Sequence, residues 1–314
     1  MLNITVLPAS CKTGLSTIRA LLALSESLSI TGIYRDLSKV PPDLLSNNPQ
    51  FTAVKGNIDD PASLDLSTTD VLFNTTPTTY ENVDILEHAK KQTENVKLAI
   101  LKSVNVKKVV LLSSMGAQYP SGTGEIKTNH AAELVLTTLP TRIETVFVRC
   151  CYFMENWVSC IPTLLSSENK PFFYSTITPA NRAIPMVAVK DIGAICAQEM
   201  ISRTPCKEVF PFQAESPYIF ELRGPNCSSN DVKKAFEEVL GKEVEMKLIP
   251  REGLLEFYGA VFPDYVAREY AEMNESFLEG GILEWDPLSA PAGEVKMGET
   301  ALKEVFEELL KEQV

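Results

Sequence analysis

Short apolar runs alternate with longer segments whose apolar residues recur at helical spacing, and this alternation organises the first half of the chain. The runs fall at residues 5–7, 30–34, 51–55, 71–75, 109–113 and 145–149. The segments 15–27 and 82–104 between them carry the i, i+3, i+4 pattern of amphipathic helices. Runs too uniformly apolar to have a wet face belong in a sheet buried on both sides. The expected fold class is therefore α/β, a doubly wound parallel sheet with helices on both faces.

After about residue 150 the pattern becomes irregular and rich in proline and aromatic residues, among them Phe153, Trp157, Phe172, Phe173 and Tyr174. Residues 184–192 read as a strand leading into a helix, with Asp191 as its N-cap. Residues 220–224 read as another strand, and Ser228-Ser229-Asn230-Asp231 starts a helix over 232–240. The expected organisation is a sheet domain over 1–155 and a smaller α+β C-terminal lobe over 156–314, with some strands returning to the main sheet. A substrate cleft between lobe and strand ends follows.

Ligands of such sheets bind outside the carboxyl ends of the strands, so those ends hold the candidate chemistry. The first, Pro8-Ala9-Ser10-Cys11-Lys12-Thr13-Gly14, joins a strand to a helix in the order that opens a dinucleotide-binding fold. Three glycines usually serve this loop: one for the turn, one for phosphate approach, one for close helix packing. Here Pro8 fixes φ and removes an amide donor, and Cys11 places a thiol where phosphate would lie. Only Gly14 remains, which keeps the packing role. Lys12 can compensate with charge, and Ser10 or Thr13 with a hydroxyl.

The second end is Tyr34-Arg35-Asp36. Arg35 can pair with a 2′-phosphate and stack on adenine, which favours NADP, while Asp36 keeps a preference for NAD open. A solvent-exposed loop arginine is the competing account. The remaining ends are Gly56-Asn57-Ile58-Asp59-Asp60, Asn74-Thr75-Thr76-Pro77 and Ser113-Ser114-Met115-Gly116-Ala117.

Composition narrows the class without naming a function. At 314 residues, 45% hydrophobic and 22% charged, the chain is an ordinary soluble globular protein. It has no run of about 18 apolar residues for a membrane span and no secretory leader, so a cytoplasmic location is expected. The seven cysteines, at 11, 150, 151, 160, 196, 206 and 227, are odd in number and form no C-x-x-C pair, which argues against a disulfide framework. With His88 and His130 the only histidines, no metal site is expected. A net charge of −12 disfavours nucleic acid. The late acidity, including Glu304, Glu307, Glu308 and Glu312, reads as a solvated helix face.

These motifs together resemble the NmrA-like family, atypical members of the short-chain dehydrogenase/reductase superfamily. The resemblance rests on the loop from Pro8 to Gly14, Tyr34-Arg35-Asp36, Gly56-Asn57-Ile58-Asp59-Asp60 and the run from Val109 to Ala117. It continues in Asn129-His130-Ala131-Ala132-Glu133, Arg149-Cys150-Cys151-Tyr152-Phe153-Met154-Glu155-Asn156-Trp157, Ile184-Pro185-Met186 and Leu222-Arg223-Gly224-Pro225. It implies a Rossmann-type domain holding NADP(H) or NAD(H) over Ser10, Cys11, Lys12, Thr13 and Gly14, with Arg35, Asn57, Ile58, Thr75, Thr76 and Pro77. The nicotinamide end would face His130 and the backbone of Cys150, Cys151, Tyr152 and Phe153. Relatives usually carry Gly at positions 8 and 11, Asp at 57 and Pro at 150, so Pro8 and Cys11 imply weakened cofactor binding.

The Tyr-x-x-x-Lys pair of short-chain dehydrogenases is absent: Tyr119 is followed four positions on by Thr123, and Tyr152 by Asn156. His130, at a helix start with an ordinary pKa of about 6.5, is the leading proton carrier. Tyr152 and Tyr80 are secondary candidates, and Cys150-Cys151 is better read as pocket lining than as a redox pair. Three functions stay open. One is an NADPH-dependent reductase of a small apolar carbonyl, quinone or polyketide-like substrate, in secondary metabolism. Another is a redox sensor that reports cofactor state to a regulatory protein partner. The third is an isomerase, cyclase or dehydratase using the cleft without hydride transfer.

Overall fold

The protein is described by a computed structural model covering residues 1–25, 27–45, 48–166, 170–202, 217–284 and 293–311. Cys206 and Glu312 lie outside these residues. The described strands are β1 (Leu2–Leu7), β2 (Leu28–Tyr34), β3 (Phe51–Lys55), β4 (Val71–Thr75), β5 (Lys108–Ser114), β6 (Glu144–Cys150), β7 (Tyr152–Phe153), β8 (Phe172–Ser175), β9 (Ala183–Val187), β10 (Tyr218–Arg223), β11 (Asn226–Ser228), β12 (Glu245–Leu248) and β13 (Glu294–Met297). The described α-helices are α1 (Lys12–Leu22), α2 (Pro42–Leu45), α3 (Ile85–Lys102), α4 (Lys127–Leu136), α5 (Ile161–Leu164), α6 (Val189–Ile201), α7 (Ser229–Leu240), α8 (Leu254–Gly259), α9 (Asp264–Phe277) and α10 (Leu302–Lys311).

Eight strands form one parallel sheet in the order β13-β10-β6-β5-β4-β1-β2-β3. The chain winds outward from β1 to β3, then returns to place β4 on the other side of β1. This reversal opens the crevice where such sheets bind ligands. Alternation along each strand feeds two cores. Val6, Phe73, Val110 and Val148 face α1 and α6, and Leu7, Leu72, Leu111 and Phe147 face α3 and α4. This is the expected doubly wound α/β class.

α1 and α6 approach so closely that a Cβ on Gly193 would lie 2.3 Å from Ser16 Oγ and 2.6 Å from the Ser16 carbonyl carbon. Ser16 Oγ donates to the Val189 carbonyl at 2.9 Å across the same contact. A further core gathers Trp157, Phe173, Phe236 and Phe306 beneath the small sheets β11-β9-β7 and β12-β8. Phe236 and Phe306 stack at 4.1 Å, fastening α10 to α7. β10 and β13, from the second half of the chain, complete one edge of the main sheet.

Several boundaries differ from expectation for local reasons. α1 starts at Lys12, because Cys11 caps it, and stops at Leu22. The serines that follow, Ser25 and Ser27, favour caps and turns over helix interiors. Asp191 is not an N-cap. Ala188 holds that position, and the Asp191 carboxylate accepts from the Thr300 amide at 3.0 Å and hydroxyl at 2.8 Å, tying α6 to the approach of α10. α7 begins with a capping box between Ser228 and Asp231. Among the described residues no helix is long and apolar enough to cross a membrane.

Candidate functional site

The β1–α1 loop turns directly at the crevice, and its thiol is folded into the turn. Cys11 Sγ donates to the Pro8 carbonyl at 3.2 Å and accepts from the Gly14 amide at 3.2 Å, with Thr13 Oγ1 at 3.4 Å. Cys11 is thus the N-cap of α1, and burial pushes its thiol pKa up, so the cap is neutral. This revises the expected obstruction: the thiol also withdraws one amide from any ligand. The amides of Lys12 and Thr13, in the first helical turn, have no carbonyl one turn back to bond. Gly14 keeps its packing role, since a Cβ there would lie 2.5 Å from the Pro8 carbonyl oxygen.

At the end of β2 Arg35 is exposed and engages no hydrogen-bond or ion-pair partner among the described residues. Asp36 accepts from the Ser38 amide at 2.9 Å, which caps a 3-10 turn and lowers its pKa. Arg35 is therefore the freer of the two side chains. Beneath them Tyr34 is fully buried, with its hydroxyl unpartnered among the described residues and its pKa pushed up to about 12, chiefly by burial.

The next two strand ends behave differently. Asn57 closes its own turn, accepting from the Asp59 amide at 3.1 Å and donating its backbone N–H to Ser63 Oγ at 2.9 Å. Ile58 is buried, with its carbonyl accepting from Asn95 Nδ2 at 3.0 Å. At the end of β4, by contrast, the buried amide of Asn74 and hydroxyl of Thr76 have no partner among the described residues.

A cavity of about 1510 Å³ runs from this crevice beneath the C-terminal half. Cys11, Lys12 and Thr13 line one end, then Thr75, Thr76 and Pro77, with Cys150, Cys151, Tyr152 and Phe153 farther along. Ser10, Gly14, Arg35, Asn57 and Ile58 are outside its lining. So is His130, whose Nδ1 lies 2.7 Å from the Ala117 carbonyl oxygen; its neighbour Asn129 reaches the cavity instead. Burial raises the Tyr152 phenol above its ordinary range. The described thiols are free, and burial raises those of Cys150 and Cys151, consistent with lining rather than redox chemistry.

A network behind the lining fixes the centre of the cavity. Arg149 donates to both oxygens of Glu133, at 2.9 and 2.6 Å, and Ser113 Oγ donates to Glu133 Oε1 at 2.6 Å. These three residues tie β5, β6 and α4 together below Ser114 and Met115.

Sequence reasoning missed much of the far wall. Tyr80, a candidate from the sequence, is joined there by Tyr258, Phe262 and Tyr270, with Tyr80 stacked on Phe262 at 5.5 Å and Phe262 against Tyr270 at 4.9 Å. Glu125 also faces the cavity, accepting from Thr78 Oγ1 at 3.2 Å, and burial raises its carboxyl pKa. Glu155 caps the Val189 amide with Oε1 at 2.8 Å, and its buried Oε2 lacks a hydrogen bond among the described residues. The clustering of aromatics at 257, 258, 262 and 270 was the available signal.

Solved structures of similar shape share this fold. An NADPH-dependent quinone oxidoreductase from Escherichia coli superposes with a TM-score of 0.68 at 18% identity, covering 100% of both chains. Triphenylmethane reductase from Citrobacter sp., complexed with NADP(H), gives a TM-score of 0.65 at 15% identity, again over 100% of both chains. NmrA, a negative transcriptional regulator solved with NAD, gives 0.65 at 15% identity over 89% of this chain and 82% of its own. No curated protein matches the sequence. The NmrA-like family model matches residues 2–296, and the chain belongs to that family.

Proposed function

We propose that this protein is an NADPH-dependent reductase of a small apolar carbonyl or quinone compound. The carrying observation is the continuous cavity of about 1510 Å³ between the α1 N-terminus and the aromatic wall. A pocket for one small ligand occupies roughly 300–1,000 Å³. The larger volume suits two occupants side by side, and similar structures were solved with NADPH or NADP(H).

The residues present fit a dinucleotide phosphate. The first-turn amides of Lys12 and Thr13 and the Lys12 ammonium suit a pyrophosphate, and the unpartnered hydroxyl of Thr76, in the cavity lining, suits an adjacent polar group. Exposed Arg35 suits a 2′-phosphate. With the amide absent at Pro8 and that of Gly14 taken by Cys11, fewer donors remain and Lys12 carries more of the binding.

A bound nicotinamide supplies a hydride. The chain's own residues do the rest: Lys12 and Arg35 hold the two charged ends, while Met115, Cys151 and Phe153 exclude water from the middle. The aromatic wall holds a flat apolar substrate beside them. His130, held at the Ala117 carbonyl, stands outside the lining, so the proton comes from another group.

Calorimetry of the pure protein with NADPH, NADP, NADH and NAD tests this reading. Micromolar NADPH binding is expected, and Arg35→Ala weakens it at least tenfold relative to NADH, about 1.4 kcal/mol. Absence of binding by any of the four nucleotides would overturn the reading.

A further inference from the structure

We infer that Glu125 is the proton donor of the reaction and that the wall around it takes a planar aromatic carbonyl compound. This rests on the reductase reading and deepens it. Glu125 belongs to the 3-10 turn Gly124–Ile126, just ahead of α4. Gly124 has φ +56° and presses against α9: a Cβ there would lie 2.0 Å from the Glu269 carbonyl oxygen and 2.3 Å from the Met273 amide. This close approach brings Glu125 and Tyr270 to one end of the cavity, and both line it.

Groups from three elements face Glu125. Thr78, after β4, donates to its Oε1 at 3.2 Å, a contact that by itself favours the carboxylate. From α9 come the Glu269 carboxylate and the Tyr270 phenol. The adjacent cation, Lys127, is turned away to Glu269 at 2.9 Å and Glu272 at 2.8 Å. Enclosure in the cavity wall and the neighbouring Glu269 carboxylate act against ionisation and outweigh the hydroxyl contact. The raised Glu125 pKa agrees with this geometry.

The rival donors fit less well. Tyr152 lines the cavity but has no lysine four residues on, and burial moves its phenol farther from neutrality. A carboxyl raised from about 4.3 approaches working pH, whereas a phenol raised from about 10 recedes from it. The substrate class follows from the rings beside Glu125. Tyr80 and Phe262 are nearly coplanar in orientation, at 8°, and Tyr258 lies within 15° of Phe262, so the wall presents flat faces.

The step balances. Hydride addition to the carbonyl breaks its π bond and leaves the electron pair on oxygen. The Glu125 O–H bond then breaks, its proton passes to that oxygen, and a carboxylate remains. The bond Glu125 accepts from Thr78 is exposed, so a solvent proton restores the carboxyl.

The test uses the whole protein, with 9,10-phenanthrenequinone as the planar probe. Infrared spectra of the protein without nucleotide should show a neutral-carboxyl band at pH 7 that loses intensity in Glu125→Gln. That variant should bind NADPH as the wild type does, reduce the quinone with kcat lower by about 100-fold or more, and keep KM within about twofold. Absence of the band, its persistence undiminished in Glu125→Gln, or wild-type kcat in that variant would each overturn the inference while leaving the reductase reading intact. Failure of the wild type to bind any nucleotide would overturn both.

Discussion

Replacing Gly14 by alanine tests whether the one surviving loop glycine is held by packing. Gly14 lies in the first turn of α1, where alanine would ordinarily stabilise the helix by about 0.5–1 kcal/mol. The added Cβ meets the Pro8 carbonyl oxygen at 2.5 Å and Cys11 Sγ at 3.1 Å. A side chain can rotate away, but the carbonyl belongs to the turn itself and moves only if strand and helix separate. Overpacking of this kind costs about 1–3 kcal/mol. The clash exceeds the helix gain, leaving a net loss of about 1–2 kcal/mol, or about 2–8 °C in Tm at roughly 2–4 °C per kcal/mol.

The same displacement shifts the Lys12 and Thr13 amides, so NADPH affinity should fall about tenfold. Thermal unfolding and calorimetry on Gly14→Ala measure both effects. Cys11→Ala and the Cys11→Ala/Gly14→Ala double variant identify the obstacle: removing sulfur leaves the carbonyl at 2.5 Å, so the second alanine should remain destabilising. Gly14→Ala at or above wild-type stability would refute the reasoning. A double variant as stable as Cys11→Ala alone would also refute it.

Breaking the network behind Ser113 has a larger expected effect. Glu133→Ala strands the Arg149 guanidinium, whose side chain is 16% exposed, and should destabilise by about 3 kcal/mol in denaturant unfolding; a loss under about 1 kcal/mol would show the pair to be dispensable. Stability should also respond to Glu125 with a defined sign. Its folded pKa is raised, so its contribution is fully present below the ordinary glutamate pKa and is lost as pH rises through the folded value. Wild-type stability should therefore fall relative to Glu125→Gln across that window, and parallel stability profiles for the two proteins would contradict the assignment.

The fold was legible because parallel strands buried on both faces are largely apolar, and the runs at 71–75 and 109–113 fall on the buried strands β4 and β5. Boundaries set by side-chain capping were harder to read. Cys11 is not a residue normally credited as a helix cap, and Asp191 looks like one while bonding to Thr300 more than a hundred positions away. The strand ends likewise announced the crevice side of the cavity. Its far wall comes from helices late in the chain: Tyr258 and Tyr270 approach Tyr80 through tertiary packing, which leaves no local signature. His130 illustrates the limit at single-residue scale. Placing α4 beside the strand ends follows from pattern, but whether position 129 or 130 faces the cavity depends on a rotation of about 100°.

The loop substitutions at 8 and 11 form one coupled change. Proline at 8 removes an amide but leaves a carbonyl, and the Cys11 thiol uses that carbonyl as acceptor while capping Gly14. A glycine at 11 would leave both groups unbonded, whereas the thiol satisfies them at the expense of one ligand-binding amide. The turn is thereby stabilised internally and made poorer in donors, which shifts anion recognition from backbone dipoles to the charges of Lys12 and Arg35. Charge contacts at exposed side chains weaken with ionic strength far more than backbone contacts do. Nucleotide affinity in this protein should consequently fall steeply between low and physiological salt, and a flat salt dependence would mean that the remaining amides dominate.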